Sequence, residues 1–230
     1  MDSRKDPLLN DLQRICTLAE IPAMALVRQV AEAADSIHFT RQLIAFHLRE
    51  CRLALERQMP SSSGTVQAVL ATLQYVHRDG IGQGDVAMAA HHLAALQNLR
   101  NAYDYLAQVC NVLLLPAPLP AHTCDLNKLL DALPDSVFQN KLKEIANGSD
   151  FKHATSQNNL VKHCRVTRTY PHVDLVSGEA KHLVQGFAKS CKKQVQTFDK
   201  EDVRDSLERI ERLSSSLAEL LKELREQLDK

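Results

Sequence analysis

The sequence predicts an all-α protein, mainly a helical bundle, and leaves open one small β-hairpin in the C-terminal half. Apolar residues make up 44% of the 230 residues, but aromatic residues only 4%. Alanine and leucine dominate the apolar set, and both favour helices, whereas strands are enriched in β-branched and aromatic residues. Apolar residues also recur at steps of three and four along much of the chain, which is the helical period.

Residues 1–115 are predicted to form an N-terminal helical bundle. A short opening helix fits 6–19, and a long periodic segment over 22–58 forms one helix or two. A loop of Pro, Ser and Gly follows, and then come a helix over 65–78 and a longer one over 85–115. Four helical segments of this kind are enough to enclose an apolar core.

A proline-rich connector over 116–123 is predicted to separate this bundle from the rest of the chain. Proline lacks a backbone N–H and cannot continue a helix, so the preceding helix must end here. The C-terminal unit, 124–230, opens with two short helices near 125–132 and 135–147. We therefore place the main domain boundary at the connector.

Helical periodicity is lost over residues 151–178, where we expect a basic loop or a small hairpin. The β-branched stretches 166–169 and 173–176 lie on either side of Pro171, as the two strands and the turn of a hairpin would. Helical patterning returns over 179–196.

The long terminal helix over 200–229 has the clearest apolar pattern in the chain. Its stripe alternates between steps of four and three residues, and Leu213 and Leu220 widen it. A narrow seam would indicate a homodimeric coiled coil, whereas a wider stripe fits packing onto a bundle. Both alternatives, a homodimer through 200–229 and core packing, stay open from the sequence.

The segment 150–171 is the best candidate binding site, and no acidic residue occurs from 151 to 173. Cationic and amide side chains on irregular backbone suit contacts with phosphate or carboxylate groups. The partner would be anionic, either RNA or an acidic protein surface; alternatively, the acidic terminal helix neutralises the segment within the chain. The candidate binding residues are Lys152, His153, Lys162, His163, Arg165 and Arg168.

The ten histidines require a test for metal sites, and they provide only weak candidates. Glu179 and His182 match half of a helical di-iron pattern, which needs a second such motif on a facing helix. His47 and His92 fall on core-facing stripes, where two facing histidines could bind a metal or each could simply find one hydrogen-bond partner. We expect no metal and no cofactor, with a metal-dependent helical enzyme as a second alternative function.

A family resemblance comes from the Leu-Arg-Asn sequence at 99–101. It resembles the Leu-Arg-Asn…His…Tyr signature of HEPN domains, helical bundles that include RNases and partners in defence and toxin–antitoxin systems. The resemblance covers about a turn and a half of one helix. It implies that Arg100 is catalytic with a nearby His, but Tyr105 stands in that position, so His153 or His163 would have to supply the general acid or base.

Taken together, these features favour a non-enzymatic binding or regulatory protein, with a HEPN-like RNase or degenerate RNase as the alternative. The six cysteines include no closely spaced pair, as expected of small core residues in a reducing compartment. No apolar run approaches the length of a membrane span. We therefore expect a cytoplasmic protein with no membrane partner.

Overall fold

The structure, a computed structural model, describes residues 24–58, 69, 83–174, 176–177, 179–191 and 194–228. The predicted helix over 6–19 and, apart from residue 69, the one over 65–78 lie outside these residues. None of the helices in the described ranges is both long and apolar enough to span a bilayer.

The described residues form six α-helices, one short 3₁₀-helix and five short strands, which confirms a mainly helical fold with a small β element in the C-terminal half. The helices are α1 (Met24–Gln58), α2 (Gln83–Leu114), α3 (Leu126–Ala132), α4 (Val137–Asn147), α5 (Ser149–His163) and α6 (Val203–Leu228), with the 3₁₀-helix at Ala121–Thr123. The strands are β1 (Thr169–Val173), β2 (Ala180–Val184), β3 (Phe187–Cys191), β4 (Gln194–Phe198) and β5 (Glu201–Asp202).

The chain groups into two compact units, and α1, α2, α5 and α6 each contribute residues to both. In the described part of the chain, the first unit contains residues 24–43, 98–151 and 212–228. The second contains residues 44–58, 69, 83–97, 152–174, 176–177, 179–191 and 194–211. The predicted connector, 116–123, lies within the first unit, so contacts group the chain differently from the predicted division.

The first unit is organised around Tyr103 of α2, which is fully buried. Its hydroxyl donates to the Leu213 carbonyl of α6 at 2.9 Å, and its ring meets Phe151 edge-on at 4.9 Å. The proline-rich segment is also fixed, because the Asn111 side chain both donates to and accepts from the Leu119 backbone at 2.8 Å. One buried hydroxyl and one clamping amide thus hold α2, α6 and the connector in place.

Side-chain caps explain where the two short helices of the first unit begin. Asp125 accepts from the Lys128 backbone N–H at 3.0 Å, and Ser136 accepts from that of Gln139 at the same distance. Such caps satisfy backbone donors that have no partner within the helix. The predicted helices near 125–132 and 135–147 are confirmed.

Helix α6 confirms the predicted terminal helix. Its apolar stripe is buried within the chain itself, as the core-packing alternative expects, and the homodimer receives no support from this burial. The stripe consists of Val203, Leu207, Ile210, Leu213, Leu217, Leu220, Leu221 and Leu224.

All five strands of the described residues lie in the second unit. In the first sheet β2 lies between β1 and β5, and both pairings are antiparallel, with Tyr170 opposite Leu183 and Val184 opposite Glu201. Strands β3 and β4 form a separate antiparallel hairpin. Gly186 links β2 to β3 so close to the chain that an added Cβ would lie 2.8 Å from the Phe198 carbonyl oxygen, so a side chain is excluded there.

Three predictions for this region are wrong. Residues 151–163, predicted as irregular backbone, belong to α5. The prediction missed this helix because its inward face is largely built from buried polar side chains and shows no apolar stripe. Residues predicted as a helix over 179–196 form β2, β3 and part of β4. The hairpin turn predicted at Pro171 is instead the middle of β1, whose partner strand is β2.

Three of the cysteines expected in the core, Cys51, Cys110 and Cys124, are buried free thiols. Burial raises the pKa of Cys51 to about 12, so this thiol stays protonated and behaves as a small apolar side chain. Cys164 is free but exposed, at the end of α5.

Candidate functional site

The end of α5 and the residues after it present a cluster of exposed cationic side chains in the second unit. The helix ends as the Cys164 and Arg165 backbone N–H groups both donate to the Leu160 carbonyl, at 2.8 and 3.0 Å. We call residues 162–168 the cationic segment after its exposed cations Lys162, Arg165 and Arg168; His163 between them is also exposed.

The cationic segment has no carboxylate partner in the described part of the chain. Lys162, Arg165 and Arg168 take part in none of the ion pairs there. Two acidic residues of the terminal helix α6 pair with other cations: Glu211 binds Arg52 at 2.6 Å, and Glu223 binds Lys141 at 3.0 Å. The described contacts therefore leave this positive charge accessible.

Two of the predicted binding residues lie apart from the cationic segment. Lys152 is exposed, but it lies in the first turns of α5, ten residues before Lys162; at 1.5 Å per residue that is about 15 Å along the helix. His153, expected on an accessible loop, is only 9% exposed, because α5 turns its side chain towards the second unit's interior.

An open groove of about 570 Å³ lies beside the cationic segment. Val86 and Val166 are well exposed on its walls, and Arg168 belongs to both the groove and the segment. Thr169 Oγ1 donates to the Asp85 carbonyl at 3.2 Å, and the Gln185 N–H donates to the Arg168 carbonyl at 2.8 Å, which fixes α2 and the strands around it. The lining residues are Asp85, Val86, Val166, Arg168, Thr169, Tyr170 and Gln185.

Asp85 is the one acidic residue among those that line the groove. Its Oδ1 lies 3.0 Å from His182 Nε2, but this contact lacks hydrogen-bond geometry, and Oδ1 has no hydrogen-bond partner. The Asp85 side chain is 14% exposed and that of His182 only 1%. Because Oδ1 is itself buried beside the imidazole, the acceptor that this carboxylate can present to the groove is Oδ2.

The predicted half of a di-iron motif is not formed. His182 lies in β2 and Glu179 lies just before it, paired with Lys181 at 2.7 Å. Residues three apart point to opposite faces of extended backbone, whereas on a helix they share one. Within the described residues, no group of three or more His, Cys, Asp or Glu side chains could hold a metal ion.

A second polar cluster lies largely buried in the same unit, centred on Glu201. Arg209 donates to both of its carboxylate oxygens, at 2.7 and 2.5 Å, and His153 Nδ1 lies 3.6 Å from Oε1. Burial opposes the charge on Glu201, but the hydrogen bonds and positive charge of Arg209 outweigh it and lower the pKa. The His153 ring also stacks on Phe198, with centroids 4.9 Å apart.

His92 is buried, as predicted, and joins this cluster through Ser206 at 2.8 Å. Ser206 also hydrogen-bonds Glu201. A hydroxyl has one proton, so if Ser206 donates it to the carboxylate, His92 Nε2 must donate to Ser206. Burial lowers the pKa of His92 to about 4, so the ring is neutral near pH 7.

His47 meets His91 rather than His92, with 3.0 Å between their Nδ1 atoms. One Nδ1 must carry a proton and the other must accept it. Burial, and then the neighbouring His91, lower the pKa of His47. His47 and His92 thus do not face each other; each has its own hydrogen-bond partner, as the second of the two predicted alternatives expects.

The residues of the HEPN resemblance lie in both units. Arg100 binds Asp104 at 2.7 Å, and its guanidinium lies 5.7 Å from the centre of the Phe151 ring. Half-buried Tyr105 belongs to the first unit with Arg100, whereas His153 and His163 belong to the second. The described contacts engage Arg100 in packing and an ion pair.

Comparisons with protein-family models, with curated proteins and with solved structures each found no match to this chain.

The sequence indicated the cationic segment but not the groove or the Glu201 cluster. The cations follow one another along the chain, so their charge is visible without a fold. Groove residues come from three distant stretches, 85–86, 166–170 and 185, and only the pairing of β1 with β2 and their contact with α2 brings them together. No local pattern marks such a site.

Proposed function

We propose that this protein is a non-enzymatic RNA-binding protein that contacts the phosphates of single-stranded RNA through the cationic segment. The observation that carries this proposal is the accessible charge: Lys162, Arg165 and Arg168 are exposed and have no carboxylate partner within the described ranges. Lysine and arginine side chains that neutralise phosphates supply most of the sequence-independent affinity for nucleic acid.

The groove favours RNA over the other predicted anionic partner, an acidic protein surface. Single-stranded nucleic acid is typically bound by a positively charged track combined with aromatic side chains on which bases stack. Arg168 places charge at the groove, and Tyr170 and Val166 place an aromatic ring and an apolar side chain there. An acidic protein surface would use the charge alone.

Two observations support binding without catalysis. Arg100, the catalytic arginine that the HEPN resemblance implies, is engaged by Asp104 and is only 15% exposed. Tyr105 stands where the family has its histidine, and a phenol hydroxyl does not replace an imidazole as a general acid or base at neutral pH.

The test is fluorescence anisotropy with a labelled single-stranded RNA at several salt concentrations. The variant Lys162→Glu/Arg165→Glu should bind more weakly. Each lost phosphate contact on a single strand reduces the slope of log K against log salt by about 0.7, so we expect a change of about 1.4. The matched control is Arg28→Glu/Lys222→Glu, which makes the same change of net charge at two exposed positions and should bind like the native chain.

Equal binding by the two double variants, or no binding of RNA at low salt, would overturn the proposal and leave an acidic protein surface as the partner class. The same samples are run on a denaturing gel after incubation, and the RNA should remain intact. Cleavage that is lost in Arg100→Ala would instead establish the HEPN-like alternative.

A further inference from the structure

The groove presents a carboxylate next to the cationic segment, and this arrangement is unfavourable for a ligand that is only anionic. Asp85 lines the groove together with Arg168, and because its Oδ1 is buried 3.0 Å from His182 Nε2, the oxygen left to face the groove is Oδ2. A phosphate placed against Asp85 would be repelled. A ligand that satisfies both side chains must carry negative charge at one end and a hydrogen-bond donor at the other.

We propose that the groove holds one unpaired base of the bound RNA and prefers cytosine to uracil, an inference that rests on the proposed function. Its volume of about 570 Å³ lies in the range of small-ligand clefts. A nucleotide has both required ends: its phosphate faces Arg168, and its base enters between the valine side chains and the Tyr170 ring. Stacking on an aromatic ring is tolerant of sequence, so selectivity has to come from a polar group.

Asp85 supplies that selectivity, because an ionised carboxylate only accepts hydrogen bonds. Cytosine presents an amino donor at N4, whereas uracil presents an acceptor oxygen at the same position. Asp85 therefore gains a hydrogen bond with cytosine and faces another acceptor with uracil. Asparagine at position 85 would remove the distinction, since its amide can donate or accept.

The experiment compares oligocytidylate and oligouridylate of about eight nucleotides, a length within the usual range for one binding site. Both are unpaired pyrimidine strands with the same charge, so the phosphate contribution is matched. We expect the native chain to bind oligocytidylate about three- to tenfold more tightly, as one hydrogen bond allows, with equal salt dependence. In Asp85→Asn the ratio should fall below about twofold.

Tyr170→Leu independently tests base stacking in the groove, because it keeps an apolar side chain and removes the aromatic ring. It should weaken both oligonucleotides by about fivefold or more and preserve the preference for cytosine. The comparison of the two oligonucleotides on the native chain needs no variant, so it tests the preference for cytosine even if one substitution prevents folding.

The outcomes separate the two proposals. Equal affinity for both oligonucleotides, with binding still reduced by Lys162→Glu/Arg165→Glu, overturns the base preference and leaves RNA binding in place. Tighter binding of oligouridylate also overturns it, because the acceptor role of Asp85 would then be wrong. If neither oligonucleotide binds at low salt, the proposed function itself fails.

Discussion

Charged side chains occupy two contrasting settings in the second unit. Arg209 is largely buried and donates to both oxygens of Glu201, whereas Lys162 and Arg165 are exposed and have no carboxylate partner in the described part of the chain. A charge removed from water needs its partner, because losing one member leaves the other desolvated and unpaired. An exposed charge is already solvated by water. We infer that the first setting maintains the fold and that the second is free to bind.

Arg209→Met should have the largest effect on the fold. Methionine keeps an unbranched side chain but leaves the Glu201 carboxylate, only 15% exposed, without its two hydrogen bonds. We expect the free energy of unfolding to fall by about 3 kcal/mol, measured by urea denaturation at pH 7. The double variant Glu201→Gln/Arg209→Met should recover part of this loss, because no unpaired charge remains.

Arg52→Met is the matched control for Arg209→Met. Arg52 pairs with Glu211 at 2.6 Å, but the two side chains are 47% and 43% exposed. A solvated pair of this kind contributes less than about 1 kcal/mol. If both variants lost the same stability, the distinction between the buried and exposed settings would be wrong.

The second-largest expected effect is a dependence of the free energy of unfolding on pH, caused by the titration of His92. Its folded pKa of about 4 lies below the ordinary value of 6.5, so on acidification the unfolded chain takes up a proton before the folded chain does. Stability is therefore fully present above pH 6.5 and is lost as the pH falls towards 4. We expect the His92 contribution to the free energy of unfolding to fall by about 2 kcal/mol between pH 7 and pH 5.

His92→Gln isolates this contribution, because glutamine retains a donor for Ser206 and does not titrate. The lowered pKa of His47 acts in the same direction and persists in the variant, so the measured quantity is the difference between the two urea-derived pH profiles. Superimposable profiles would show that His92 does not keep a lowered pKa in the folded protein.

Helices α6 and α5 show how far the sequence determines this fold. Helix α6 was predicted because valine, leucine and isoleucine form its buried stripe, so its period is visible in the hydropathy pattern. Helix α5 was missed because its inward face includes His153, Ser156, Gln157 and Asn158, all buried. An inward face built from polar side chains has helical spacing but no apolar signal.

The strands were missed for a different reason. In β2 the buried residues His182, Leu183 and Val184 follow one another, so the alternation that marks a half-buried strand is absent. Alanine and lysine nearby favour helix on propensity alone. Pairing with β1 and β5 overrides that preference, and a local window contains neither partner.

The smallest expected effect tests whether the cationic segment contributes to the stability of the fold. Lys162→Glu/Arg165→Glu should change the free energy of unfolding by less than about 0.5 kcal/mol, since exposed charges without partners contribute little to a fold. The same urea titration used for Arg209→Met measures it. A loss comparable with that of Arg209→Met would mean that the cationic segment holds the second unit together, and weaker RNA binding by this variant would then report unfolding. A small change, together with a lower salt slope, assigns the segment to binding alone.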